Sequence, residues 1–161
     1  MRALLQRVAN ARVLVDGETV GEIGPGLLAF VCALRGDGPR EAERLAERVA
    51  RYRVFQDDAG RMNVSALDRE LPILVVSQFT LAADGRKGRR PSFDLAAPPE
   101  VAAGLVEAFR IALEALGTRT QAGRFGASMR VELVNDGPAT FLLDEPPDPS
   151  GRVANSSQVV A

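Results

Sequence analysis

Residues Leu27 to Leu34, L-L-A-F-V-C-A-L, form an unbroken apolar run behind the turn residues Gly24-Pro25-Gly26. A strand with one wet face alternates apolar and polar side chains, whereas this run offers water neither face, so it reads as a strand buried on both sides. What precedes it reads as a β meander. Apolar and polar residues alternate through Ala3 to Val8 and again through Arg12 to Val15; Asp16-Gly17 supplies the positive φ angles of a hairpin turn, and Thr19 to Ile23 returns as the partner strand. Ile73 to Phe79, an aliphatic run behind Pro72, predicts another buried strand.

Two segments carry the helical period instead. Pro39 suits a first helical position, Glu41 its first turn, and Ala42, Leu45, Ala46 and Val49 then fall at i, i+3, i+4 and i+7. Pro98-Pro99 opens a second helix with Ala102, Leu105, Val106, Phe109, Ala112, Leu113 and Leu116 on one face; Gly117 suits its end, and Gly104 weakens it slightly. The stretch around Asp57-Asp58-Ala59-Gly60 reads as looser. Met129, Val131 and Leu133 alternate with Arg130 and Glu132 in a half-buried strand, and Asn135 to Pro138 read as a turn into a short strand, Ala139 to Leu143. Strands flank helices without strict βαβ alternation. This predicts an α+β fold with mostly antiparallel β-sheets and two main helices in one domain, 1–143. From Asp144 onward prolines and small polar residues take over, which predicts a mobile tail over 144–161.

Composition excludes several chemistries. The 161 residues carry a net charge of -1 and no stretch near the roughly 20 apolar residues that span a bilayer, and Gln6 and Arg7 interrupt any apolar signal core, so the expected location is the cytoplasm, with no membrane partner. The single cysteine, Cys32, sits inside the apolar run and reads as a small core residue; one cysteine forms no intrachain disulfide. The chain has no histidine. Ser/His/Asp and Cys/His arrangements and histidine-based metal sites are therefore excluded, and a hydrolase built on this chain must use backbone donors, hydroxyls or groups of its substrate. Asp57, Asp58 and Asp68 lack a recognisable metal spacing and read as surface or turn residues. Neither metal nor cofactor is expected.

Two short segments have open readings. S-Q-F-T-L, Ser77 to Leu81, is either the polar end of a core strand or a place where Gln78, the Phe79 N–H and the Thr80 hydroxyl face a ligand and donate to a developing oxyanion. The Gly137-Pro138 pair is either an ordinary trans turn or an exposed backbone that a ligand approaches closely. Directly after the first segment, Arg86, Lys87, Arg89 and Arg90 place four cations in five positions: a solvated loop, or a local docking patch for nucleic-acid phosphate.

Seven motifs in chain order decide between these readings. M-R-A-L-L-Q-R-V at Met1 to Val8, V-G-E-I-G at Val20 to Gly24, G-R-M-N at Gly60 to Asn63 and S-Q-F-T-L-A-A-D at Ser77 to Asp84 are followed by R-P-S-F at Arg90 to Phe93, G-R-F-G-A at Gly123 to Ala127 and L-V-N-D-G-P-A-T at Leu133 to Thr140. Together they resemble the bacterial D-aminoacyl-tRNA deacylases, formerly called D-tyrosyl-tRNA deacylases, through about Leu143. Ala139 stands where the family usually has valine, and Ala122 where threonine is common.

The resemblance implies a three-layer β-β-α homodimer that hydrolyses the ester joining a D-amino acid, or glycine on tRNA-Ala, to the terminal ribose of tRNA. It implies that Gly137-Pro138 is cis and enters the partner subunit's site, where its carbonyls hold the substrate's α-amino group and direct an L side chain into backbone. Phe79, Thr80 and Gln78 take the catalytic positions by the same likeness: the Phe79 and Thr80 amides face the oxyanion and the substrate 2′-hydroxyl positions water. Ser77, Arg7 and Met129 support them, with Arg7 anchoring the Gly137-Pro138 turn. A covalent Thr80 Oγ nucleophile ranks lower, since no base stands in the motif. A tRNA-editing esterase of different chirality and a noncatalytic RNA-binding protein are the alternatives.

Overall fold

The fold is seen in a computed structural model that describes residues 1–86 and 88–146. The amino-terminal alternation produces one long strand, β1 (Arg2–Val15), which turns at Asp16 and Gly17, with φ of 51 and 86°, into β2 (Glu18–Ile23). The apolar run becomes β3 (Gly26–Cys32), and α1 (Pro39–Ala50) follows. Next come β4 (Arg53–Gln56), β5 (Met62–Ser65) and β6 (Ile73–Ser77), then α2 (Pro99–Ala115), β7 (Thr120–Ala122) and β8 (Arg130–Asp144).

The main sheet runs β2-β1-β3-β6-β7, with β8 also paired to β1. β3 pairs with Arg2 to Val8 of β1 and β2 with Ala11 to Val15, so the two follow each other along the same edge. Between those stretches the inward face changes: Ala3 and Leu5 belong to one buried cluster, but Val8, Ala11 and Val13 belong to another, and the β1–β8 register slips twice between Gln6 and Asn10. Such a slip exchanges the faces to which successive side chains point. The sheet thereby folds over itself. β2 approaches β7 so closely that a Cβ on Gly21 would lie 2.5 Å from the Ala122 carbonyl oxygen, a place only glycine fits.

β3 and β6 are buried on both faces, as their composition predicts. Leu27, Ala29, Val31, Ile73 and Val75 pack against the helices through Leu45, Val49, Phe109 and Leu113, while Leu28, Leu74 and Val76 pack against Val8, Ala11, Val13 and Ile23. On α2, Leu105, Phe109 and Leu113 are buried four residues apart. Each is worth about 1.5–3 kcal/mol on burial, which outweighs the roughly 1 kcal/mol that Gly104 costs the helix.

The sheets are mostly antiparallel, as expected: β1 with β2, β3 and β8, and β4 with β5. The pairings β3–β6 and β6–β7 are the parallel exceptions. The cause is that β3 reaches β6 through α1, and β6 reaches β7 through α2: a crossover through a helix returns the chain in the same direction. The looser segment at Asp57 to Gly60 is the tip of the β4–β5 hairpin. Asn135 to Pro138 form no separate turn but lie within the continuous β8. That strand ends on Asp144, and Glu145 is buried, with its carboxylate 2.8 Å from Arg48 Nη1, so the chain remains packed beyond the expected boundary at Leu143. The rest of the expected tail, 147–161, lies outside the described residues, as does Lys87.

Candidate active site

β6 delivers the Ser77 to Leu81 segment. It lies between two parallel neighbours, and at its end the Gln78 N–H still donates to the Val31 carbonyl at 2.8 Å. The chain then leaves the sheet in a 3-10 turn, Phe79–Ala82, instead of continuing as a strand end. Leu81 N–H closes back on Gln78 O at 3.2 Å and Ala83 N–H on Thr80 O at 3.0 Å. The first N–H groups of such a turn have no partner within it. Accordingly, the Phe79 and Thr80 amides have no acceptor among the described residues. The Gln78 side-chain amide donates to Thr80 Oγ1, and both Phe79 and Thr80 are exposed.

Beside the turn opens a cavity of about 680 Å³. Ser77, Gln78 and Phe79 form one wall, Phe93 and Phe125 others, and Met129 closes over Gly123, where a Cβ would strike its sulfur at 2.6 Å. Phe79 and Phe93 meet edge to face, ring centres 5.0 Å apart. Three motifs far apart in sequence, S-Q-F, P-S-F and F-G-A, thus line one cavity. Cys32 also lines it; burial pushes its thiol up, which keeps it protonated and disfavours thiolate chemistry.

The N-D-G-P-A-T motif does not join them. Asn135 to Pro138 are exposed on β8, the Gly137-Pro138 bond is cis, and neither residue lines the cavity. Their anchor is Arg7. Although its side chain is nearly buried, Arg7 donates from Nε to the Asp136 carbonyl at 2.9 Å and from Nη1 to Val54 O at 2.6 Å. Asn135 Nδ2 adds bonds to the Arg7 and Ala139 carbonyls at 2.9 and 3.3 Å.

The basic loop is pinned next to the turn by paired backbone bonds between Asp84 and Ser92, at 2.8 and 2.9 Å. Arg86 folds back onto Asp84 and, with its own backbone N–H, holds that carboxyl down at about 2. Arg89 and Arg90 are exposed. Among the described residues no three Asp, Glu or Cys side chains cluster as metal ligands, and no helix is long and apolar enough to cross a membrane.

Phe93, Phe125 and Arg35 also line the cavity, with no role predicted from sequence. Phe93 and Phe125 carry a signal only through the R-P-S-F and G-R-F-G-A motifs; Arg35, whose Nε donates to the Asp94 carbonyl, lies in no motif.

The α+β fold is shared with solved structures. One, described as c-Myc DNA Unwinding Element Binding Protein, is 38% identical with a TM-score of 0.85, covering 91% of this chain and 99% of that one. Another, a probable eukaryotic D-amino acid tRNA deacylase, has the same fold at a TM-score of 0.78 and 18% identity, over 88% and 97% of the two chains. Residues 4–144 match the family D-Tyr-tRNA(Tyr) deacylase. The D-aminoacyl-tRNA deacylase of Halorhodospira halophila is 58% identical over 95% of this chain and all of its own length, and that of Ruegeria pomeroyi is 56% identical over 89% and 99%. The chain belongs to this deacylase family, the one its motifs resemble.

Proposed function

We propose that the protein removes D-amino acids, and glycine mischarged on tRNA-Ala, from tRNA by hydrolysing the ester to the terminal ribose, as a cytoplasmic proofreading enzyme. The observation that carries this reading is the pair of open amides, Phe79 and Thr80, at the head of a turn beside a largely apolar cavity of about 680 Å³. Donors fixed in advance stabilise an oxyanion without reorganising, and they require no histidine. An aminoacyl ester is already activated, so this modest machinery suffices. In this mechanism water attacks the ester carbonyl, positioned by the substrate's own 2′-hydroxyl; the two amides hold the oxyanion, and its collapse expels the ribose 3′-oxygen, which takes up the proton that the water gives up. Thr80 Oγ, engaged by Gln78, acts through the placement of the turn, and Ser77 and Met129 shape the cavity wall.

Chirality is read by backbone. The Gly137 and Pro138 carbonyls hold the substrate's α-amino group, and an L side chain then collides with main chain. Because these residues are exposed and do not line their own chain's cavity, the reading is a homodimer of three-layer β-β-α subunits in which each supplies Gly137-Pro138 to the other's site. Arg86, Lys87, Arg89 and Arg90 flank the tRNA phosphates, a contribution that weakens with salt. Light scattering together with deacylation tests the proposal: a dimer that cleaves D-tyrosyl-tRNA ending in adenosine far faster than the same ester on 2′-deoxyadenosine agrees with it. A fully active monomer, or equal rates on the two termini, contradicts it.

A further inference from the structure

The carbonyl side of the 3-10 turn is gripped from the sheet below. Arg2 on β1 is the register partner of Cys32 on β3 and of Asp144 on β8, so the three side chains stand in a row across one face. Arg2 Nε lies 2.5 Å from Asp144 Oδ1 and Nη2 3.3 Å from Oδ2, which leaves Nη1 to donate to the Leu81 carbonyl at 2.8 Å. Next to it, Cys32 Sγ sits 3.7 Å from the Phe79 carbonyl oxygen. A peptide C=O and the N–H that follows it point in opposite directions across a trans bond. Drawing the Phe79 carbonyl toward the sheet therefore turns the Thr80 N–H away from it, and a cation at the carboxyl end of the turn complements the partial charges that make its first amides good donors.

We infer that Arg2, held by Asp144 and flanked by Cys32, is a positioning residue that fixes the orientation of the Phe79 and Thr80 amides. The inference rests on the proposal that those amides stabilise the oxyanion. Only a guanidinium satisfies a carboxylate with two nitrogens and still presents a third to a carbonyl; a lysine ammonium offers one point of attachment. Misplacement of donors by a fraction of an ångström acts on the transition state more than on substrate binding.

Three variants test it: Arg2→Met, Arg2→Lys and Asp144→Asn, assayed for kcat and KM on D-tyrosyl-tRNA and for amide hydrogen exchange over residues 79–83. The expected result for Arg2→Met is a kcat lower by at least about tenfold, with KM within about twofold and faster exchange at Leu81 and Ala83, whose amides close the turn. Arg2→Lys falls between that variant and the parent. Should Arg2→Met fail to fold, the other two carry the same measurements. Unchanged kcat with unchanged exchange overturns the positioning role. Unchanged kcat with clearly faster exchange shows instead that the turn was loosened without consequence, which overturns the oxyanion proposal on which the role depends.

Discussion

Arg7 and Asp136 are joined twice: Nε of the guanidinium lies 2.9 Å from the Asp136 carbonyl oxygen and 3.0 Å from its carboxylate Oδ2. The same side chain donates to Val54 O at 2.6 Å, so one nearly buried guanidinium links the exposed Gly137-Pro138 segment to the β4 strand. The carboxylate of Asp136 is 61% exposed and its ion pair contributes little; the bonds to the two carbonyls set the position. Arg7→Lys leaves a buried acceptor unmade, at about 1–3 kcal/mol, and frees the Gly-Pro segment. Urea unfolding is expected to show that loss, and D-tyrosyl-tRNA turnover to fall by at least about tenfold. Parental values in both measurements would exclude the anchor role.

Gly137 leaves no room for a side chain. An added Cβ would come within 3.1 Å of Asn135 Cγ and 3.0 Å of the Ala139 nitrogen, displacing the amide that ties Asn135 to Arg7. Since the position is exposed, Gly137→Ala is expected to fold, yet to lose D-substrate turnover or its preference over L-substrate. Steady-state kinetics on both esters checks this; unaltered selectivity would remove Gly137 from the recognition element.

Thr80 separates two chemistries. If amides carry the reaction, Thr80→Val keeps the backbone donor and is expected to retain kcat within about tenfold, the typical scale for losing a supporting hydrogen bond. A covalent nucleophile would instead leave a folded variant with no turnover and an acyl-enzyme burst in the parent protein.

Gly104 lies exposed on α2 with open space where a Cβ would stand. Gly104→Ala is expected to raise stability by about 0.5–1 kcal/mol, read from the denaturant midpoint at constant slope, without altering kcat. A loss of stability would show that the helix uses the gap.

The parts legible in sequence were those where burial writes a period: β3 and β6 through their unbroken apolar runs, and α1 and α2 through stripes such as Ala42, Leu45, Ala46 and Val49. β4 and β5 escaped because four-residue strands carry too few side chains to set a period, and β7 because it is shorter still. The face change between Val8 and Ala11 is a register slip against β8, a property of two strands that neither reveals alone. Gly137-Pro138 signals a turn locally, but long pairing with β1 keeps the segment in β8. Within the site, motif likeness picked out Ser77 to Thr80, while Arg2 and Arg35 gain their places from cross-strand register and from a carbonyl of a distant loop.

In the proposed mechanism one backbone site removes D-aminoacyl groups and rejects L-aminoacyl groups. Its most direct test is the rate of deacylation of D-tyrosyl-tRNA and L-tyrosyl-tRNA by the same preparation under single-turnover conditions. Rapid release of D-tyrosine with L-tyrosyl-tRNA left at its spontaneous hydrolysis rate is the predicted result. Comparable enzyme-dependent rates on the two esters, or none on either, would contradict it.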